Sequence, residues 1–159
     1  MTDQIDDLDR IMAIMQGAFE PEYCEAWSRR QVADALLIGN CHYLLAGPDG
    51  ERFGNQGEQS LPAAGFALSR TTYREEELLL IAVLPQYRRA GIAARLLEQL
   101  LSDARERGAD RLMLEMRRGN PAESLYLRYG FVPVGSRPNY YRTLCGPRID
   151  AITFCCTLD

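Results

Sequence analysis

The sequence contains no lysine; all 18 basic residues are arginines. That absence excludes a phosphate-binding P-loop, whose lysine reaches the phosphates, and any chemistry run through a lysine Schiff base or lysine general base. Histidine is nearly as scarce. His42 stands alone, so a Ser-His-Asp or Cys-His nucleophile would have to rest on it, and a histidine-rich zinc site is impossible. The five cysteines, Cys24, Cys41, Cys145, Cys155 and Cys156, include no Cys-x-x-Cys pair and are odd in number. That argues against a complete disulfide framework and for reduced thiols in a cytosol. No apolar run approaches the roughly 18 residues of a membrane span. The opening MTDQIDDLDR is acidic, unlike the basic start of a secretory or transit peptide. A net charge of -4 with no basic stretch gives little footing to nucleic acid.

What is present fits one ordinary globular domain over 1–159. At 159 residues the chain can bury most of its unfolded surface. Its 47% hydrophobic and 25% charged residues exclude disorder, collagen and coiled coil. Apolar residues Leu8, Ile11, Met12, Met15 and Phe19 recur at helical spacing between Asp6 and Phe19. A second helix runs from Ser28, an N-cap, through Val32, Ala35, Leu36 and Leu37, and Gly39 closes it. Cys41 to Ala46 reads as a strand and Gly47-Pro48-Asp49-Gly50 as a turn, with 51–61 forming a long polar hairpin loop. Strands follow over Ala63 to Arg70 and Glu77 to Leu84. The unbroken run LLLIAV in the latter is that of a central strand buried on both faces. Gly91 to Arg107 carries one long apolar stripe and reads as a helix. Then come a strand over Arg111 to Met116, a helix over Pro121 to Tyr129, and strands over Phe131 to Val134 and Ala151 to Leu158. The fold class is mixed α/β, a central sheet of about six to seven strands flanked by helices.

Chemistry concentrates where LLLIAV stops at Pro85 and passes through Gln86-Tyr87-Arg88-Arg89-Ala90-Gly91-Ile92-Ala93 into the long helix. A helix start leaves backbone N–H groups unpaired, and with the helix dipole they make a site for a phosphate-like anion. Gly91 and Ala93 keep the backbone bare, while Arg88 and Arg89 add charge. The same residues could also form only a tight turn with solvated arginines. Gly-x-Gly-x-x-Gly is absent, so this is no dinucleotide fingerprint. On the strand LMLEM, alternation puts Leu112, Leu114 and Met116 on one face and Met113 and Glu115 on the other. Glu115 is then either a carboxylate facing a site or a partner for Arg117. Tyr126 is either an acid or a core aromatic. Asn120, before Pro121, suits a helix cap. Cys155, Cys156, His42 and Tyr129 read as structural, as does the acidic run Glu75-Glu76-Glu77, a solvated face.

Arg88-Arg89-Ala90-Gly91-Ile92-Ala93 resembles the R/Q-x-x-G-x-G/A signature of the GNAT N-acetyltransferases. The neighbouring segments IAV-x-P, LEMR, SLYLRYGF and NYYR follow in that family's order. More narrowly, the chain is similar to the bacterial ribosomal-protein-alanine N-acetyltransferases from about Trp27 to Phe154. The resemblance implies a GNAT fold whose sheet splays at a cofactor cleft. It implies acetyl-CoA as co-substrate with no metal, and direct transfer to an amine. The amine would be a protein N-terminus, or alternatively that of a small molecule; a non-catalytic coenzyme A-binding module is the remaining alternative. Glu115 would be the general base and Tyr126 the general acid. Ile81, Ala82 and Val83 would pair with the pantetheine arm, Arg88 to Ala93 would wrap the diphosphate, and Asn120 would also touch the cofactor. Asn139-Tyr140-Tyr141-Arg142 would lie on the acceptor side, or else be only a loop with aromatic anchors, with Trp27 and Glu77 as further acceptor-side candidates. The expected setting is cytoplasmic, as a monomer or weak dimer, without nucleic acid or membrane. Leu80 stands where the subgroup carries Asn, and the Asn120–Tyr126 spacing is one residue short, which bears on the acceptor and on where Tyr126 points.

Overall fold

The computed structural model describes residues 6–52 and 62–158. Most of the 51–61 stretch read as a hairpin loop thus lies outside the described residues. Helix α1 (Asp7–Ala18) starts where Asp6 caps the amide of Asp9 at 2.8 Å, and it buries Ile11, Ile14 and Met15. A short 3-10 turn (Pro21–Tyr23) leads to α2 (Arg29–Ile38), whose start is a full capping box between Ser28 and Gln31. Of the apolar residues expected to line α2, only Val32 is buried. Leu37 is 82% exposed, because the helix touches the sheet along a narrow stripe.

The six strands are β1 (Cys41–Ala46), β2 (Gly65–Thr72), β3 (Glu75–Val83), β4 (Arg111–Arg117), β5 (Val132–Tyr141) and β6 (Ile149–Thr157). Among the described residues they form one sheet in the order β1-β2-β3-β4-β6-β5. Every pairing is antiparallel except β3–β4, and a parallel neighbour requires a crossover. Helix α3 (Ile92–Glu106) is that crossover, burying the stripe Ile92, Leu96, Leu97, Leu100, Leu101 and Ala104. A shorter α4 (Glu123–Arg128) follows β4.

Two hydrophobic layers sandwich the sheet. Helices α1 and α2 cover Leu45, Phe66, Leu68, Leu80 and Ala82. Helices α3 and α4 cover Leu44, Ala67, Leu78, Val83, Leu114 and Phe154. Leu78 and Leu80 would share a face in an unbroken strand. They lie in opposite layers because β3 carries an extra residue, Leu79, between the pairs Ser69↔Leu78 and Leu68↔Leu80. Such a bulge bends and twists its strand.

Three expectations are corrected. The acidic run belongs to β3, and Glu76 is 1% exposed rather than solvated. Two nitrogens of Arg107 donate to its carboxylate at 2.9 and 2.6 Å and Ser69 Oγ at 2.7 Å. Its neighbours pair as Glu75–Arg111 and Glu77–Arg70. LLLIAV is not sealed on both faces, since Leu79 and Ile81 are only half-buried. The strand β5 runs on to Tyr141 instead of stopping at Val134, so Asn139, Tyr140 and Tyr141 sit on an exposed edge strand rather than in a loop.

Candidate active site

Strands β3 and β4 pair only over Glu75–Leu78 and Arg111–Leu114. Beyond the bulge at Leu79 the strands part, while β4 stays paired with β6 as far as Arg117. The gap is a cleft of about 440 Å³ floored by Leu78–Val83 on one side and Leu114–Arg117 on the other. Ala18, Glu20, Tyr23 and Glu25 form one wall, and Asn120, Leu125 and Tyr126 the other.

At one end of the cleft lies the turn into α3. Arg89 and Gly91 take left-handed backbone angles, φ +66° and +79°, which curl successive amides inward as an anion-binding nest does. A Cβ on Gly91 would meet no atom within 4 Å. The first amide of this segment with an intrachain acceptor is that of Arg95, which donates to Gly91 O at 3.1 Å. Those of Ala90, Gly91, Ile92 and Ala93 have no acceptor among the described residues. Arg89 is exposed and likewise unpaired there. Arg88 departs from its expected part. Its guanidinium does not stand free for an anion but donates to Val83 O at 3.1 Å and Ala18 O at 2.9 Å.

The edge of β3 that β4 abandons carries unpaired backbone groups. Leu84 N bonds Ala64 O on the β2 side, whereas Val83 O faces Arg88 on the other. Antiparallel alternation therefore turns Ile81 and Val83 toward the cleft and Ala82 toward its partner Phe66. Of the three residues expected to meet a pantetheine arm, Ala82 presents no backbone group to it, because its polar groups belong to the β2 ladder.

Glu115 and Tyr126 both line the cleft. Leu112, Leu114 and Met116 are buried under α3 and α4, and Glu115 faces the other way, as alternation required. Arg117 is not its partner. Arg117 reaches Glu25 at 2.8 Å and lies 3.7 Å above the Tyr23 ring. Glu115 instead accepts from Thr153 Oγ1 at 3.4 Å on β6 and pairs with Arg137 Nε at 3.1 Å, reaching over from β5. The Tyr126 ring packs edge-on to Phe131 at 5.7 Å and is 5% exposed. Burial, with the Glu25 charge nearby, pushes the phenol well above its ordinary range, so it keeps its proton near neutral pH. Its hydroxyl has no partner among the described residues, where no buried side-chain oxygen or nitrogen is left unsatisfied. The hydroxyl therefore opens on the cleft. Asn120 caps α4, its Oδ1 accepting from Ala122 N at 2.9 Å.

The model of the Acetyltransferase (GNAT) family matches residues 8–131. The chain belongs to this family. Like its relatives it is an acetyl-CoA-dependent acyltransferase, an N-acetyltransferase. It is 38% identical over 112 residues to the [ribosomal protein bS18]-alanine N-acetyltransferase of Haemophilus influenzae, spanning 65% of this chain and 77% of that one. To the protein of the same name from Escherichia coli K12 it is 41% identical over 110 residues, 68% of this chain and 74% of that one. The crystal structure of the Escherichia coli ribosomal-protein-S18-alanine N-acetyltransferase superposes with a TM-score of 0.76 at 29% identity, covering 99% of this chain and 92% of that chain.

Set on this GNAT fold, the sequence-derived candidates gather in one place. Ile81, Val83, Ala93, Glu115, Asn120 and Tyr126 all border the same cleft. With the short Asn120–Tyr126 spacing, Tyr126 still borders the cleft. Leu80 lies against α1 and α2, with its side chain 7% exposed. Trp27 packs on the same layer and does not border the cleft. Glu77 sits at the closed end of β3, paired with Arg70. Tyr129 donates to Glu98 on α3, away from the cleft. Sequence reasoning missed Tyr23 and Glu25, which lie in an irregular stretch with no periodicity to mark them. It also gave no separate role to Tyr141, whose half-buried phenol is pushed up by burial and by the charges of Glu25 and Glu115. No helix among the described residues is long and apolar enough to cross a membrane.

Proposed function

We propose that the protein acetylates the N-terminal amine of a protein, a ribosomal protein with N-terminal alanine being the acceptor class named for its relatives. What supports this is one observation above others. Glu115 and the protonated phenol of Tyr126 line one cleft, and the turn into α3, whose Ala93 borders that cleft, holds four amides without an acceptor among the described residues. A cytoplasmic setting beside the ribosome goes with this reading.

When bound, acetyl-CoA supplies an activated thioester. The amides of Ala90–Ala93 would donate to its diphosphate, with Arg89 adding charge and the backbone of Ile81 and the Val83 N–H pairing with the pantetheine arm as an added strand. Asn120 holds the start of α4 and touches the cofactor. An α-amine with an ordinary pKa of about 8 is largely protonated at neutral pH. Glu115 would take that proton, the freed amine would attack the thioester carbonyl, and as the carbon–sulfur bond breaks the Tyr126 hydroxyl would protonate the leaving sulfur, the proton shed by the new amide nitrogen restoring the phenol. The chain needs no covalent intermediate, consistent with its lack of a histidine-activated nucleophile. Leu80 offers the acceptor no polar side chain.

Replacement Glu115→Gln is expected to lower kcat/KM by about 100-fold or more and leave coenzyme A affinity within about two-fold, because Glu115 bonds Thr153 and Arg137 and not the turn into α3. An unchanged rate would remove Glu115 as base. An acceptor screen across alanine-led peptides, polyamines and aminoglycosides tests the substrate class. Turnover of the small amines alone would overturn the peptide reading.

A further inference from the structure

We propose that Arg88 is a positioning residue that couples the cofactor turn to the Phe19–Glu25 side of the same cleft, taken as the acceptor wall, so that filling one site tightens the other. The inference rests on the reading of the turn as a diphosphate cradle. The backbone of Arg88 opens that turn, yet its guanidinium grips two carbonyls elsewhere. One belongs to Val83, the last residue of β3 and part of the cleft floor. The other belongs to Ala18, the last residue of α1. The last turn of α1 contains no basic residue, so Arg88 supplies both the hydrogen bond and the positive charge that a helix C-terminus favours. Beyond Ala18 the chain continues into Phe19, Glu20, Tyr23 and Glu25, which line the same cleft as Glu115 and Tyr126.

A second observation joins the same parts independently. Gly17 lies so close to the end of β3 that a Cβ there would come within 2.7 Å of Leu84 Cδ2. The end of α1 is thus seated on the segment that enters the cofactor turn, and Arg88 fastens it. An anion held at Ala90–Ala93 fixes the turn, and the clamp carries that restraint to the acceptor wall. Such coupling is reciprocal by thermodynamic necessity.

The test is calorimetric titration of a hexapeptide with a free N-terminal alanine into the full chain, with and without saturating coenzyme A. The chains compared are wild type, Arg88→Gln, Arg88→Lys and Gly17→Ala. The readout is the ratio of peptide Kd values without and with coenzyme A, in which a uniform loss of affinity cancels. Wild type is expected to show a ratio of about five or more, the low end of typical site–site coupling. Arg88→Gln is expected to fall to about two or below, with Arg88→Lys in between. Gly17→Ala, whose Cβ meets only the movable end of the Leu84 side chain, is the control and should keep the wild-type ratio, and Arg88→Lys serves if Arg88→Gln fails to fold. A wild-type ratio near one, or an undiminished ratio in the Arg88 variants, overturns the clamp. If wild type takes up no coenzyme A at all, the cradle reading falls, and the clamp with it.

Discussion

Removing the hydroxyl of Tyr126 while keeping its ring separates chemistry from packing. In Tyr126→Phe the ring contacts with Phe131 and Phe154, at 5.7 and 6.5 Å, persist. The hydroxyl makes no hydrogen bond within the described residues, so its loss orphans no partner and costs stability less than about 1 kcal/mol. In a chain of this length that is a fall in Tm of no more than about 2–4 °C. The effect on rate is of another order. If the phenol delivers the proton to the leaving sulfur, its removal is expected to slow turnover by roughly 100- to 1000-fold, about 2.7–4 kcal/mol in the barrier. Released coenzyme A is followed with a thiol reagent under saturating substrates, and Tm by fluorimetry on the same samples. Tyr129→Phe is the control, since it removes an exposed contact to Glu98 outside the cleft. Because burial raises the Tyr126 pKa, its protonated form extends further into the alkaline range. Wild-type turnover should therefore show no basic limb from this group below pH 10, its ordinary value. A folded Tyr126→Phe within about three-fold of wild type would refute the acid role and the argument from burial.

Two further predictions concern the scaffold. Glu76→Ala leaves Arg107 beside a buried vacancy without its carboxylate. With Arg107 27% exposed, the cost is expected at the low end for a broken buried pair, about 3 kcal/mol, or a fall in Tm of about 6–12 °C. A drop of less than about 2 °C in thermal melts would mean that the pair contributes nothing net. His42 lies beside Arg107 and within 3.4 Å of Thr71 Oγ1, and burial followed by the Arg107 charge depresses its pKa below 6.5. The unfolded chain therefore binds the proton more readily, and stability is lost as pH falls from 6.5 through the depressed value. The wild type should lose more Tm between pH 7 and pH 5 than His42→Gln does, and parallel curves would contradict this.

Much of this arrangement is legible in the sequence because it depends on short-range chemistry. The apolar stripe of α3, the alternation around Glu115 and the bare turn at Gly91 each follow from neighbours within a few residues. What the sequence hides depends on strands that meet only in three dimensions. The run LLLIAV promises a strand sealed on both faces, and the bulge at Leu79 and the departure of β4 open half of it into a cleft. Glu76 looks solvated among three acidic residues until Arg107, 31 positions away, turns inward to meet it. Arg137 reaches Glu115 because β6 comes between β4 and β5, an order that local pattern cannot give. Arg88 reads as a free charge in a signature, and only the folded chain shows its guanidinium donating to Val83 O and Ala18 O. Tyr23 and Glu25 sit in a stretch whose irregularity carries no signal at all.

Cofactor binding in this protein depends most on the amides at the turn into α3. Amide NMR spectra of the full chain recorded during a titration with coenzyme A test it directly. The signals of Ala90, Gly91, Ile92 and Ala93 should move downfield together and become protected from solvent exchange as the nucleotide binds. Unmoved signals at those four positions, with binding registered elsewhere or nowhere, would contradict it.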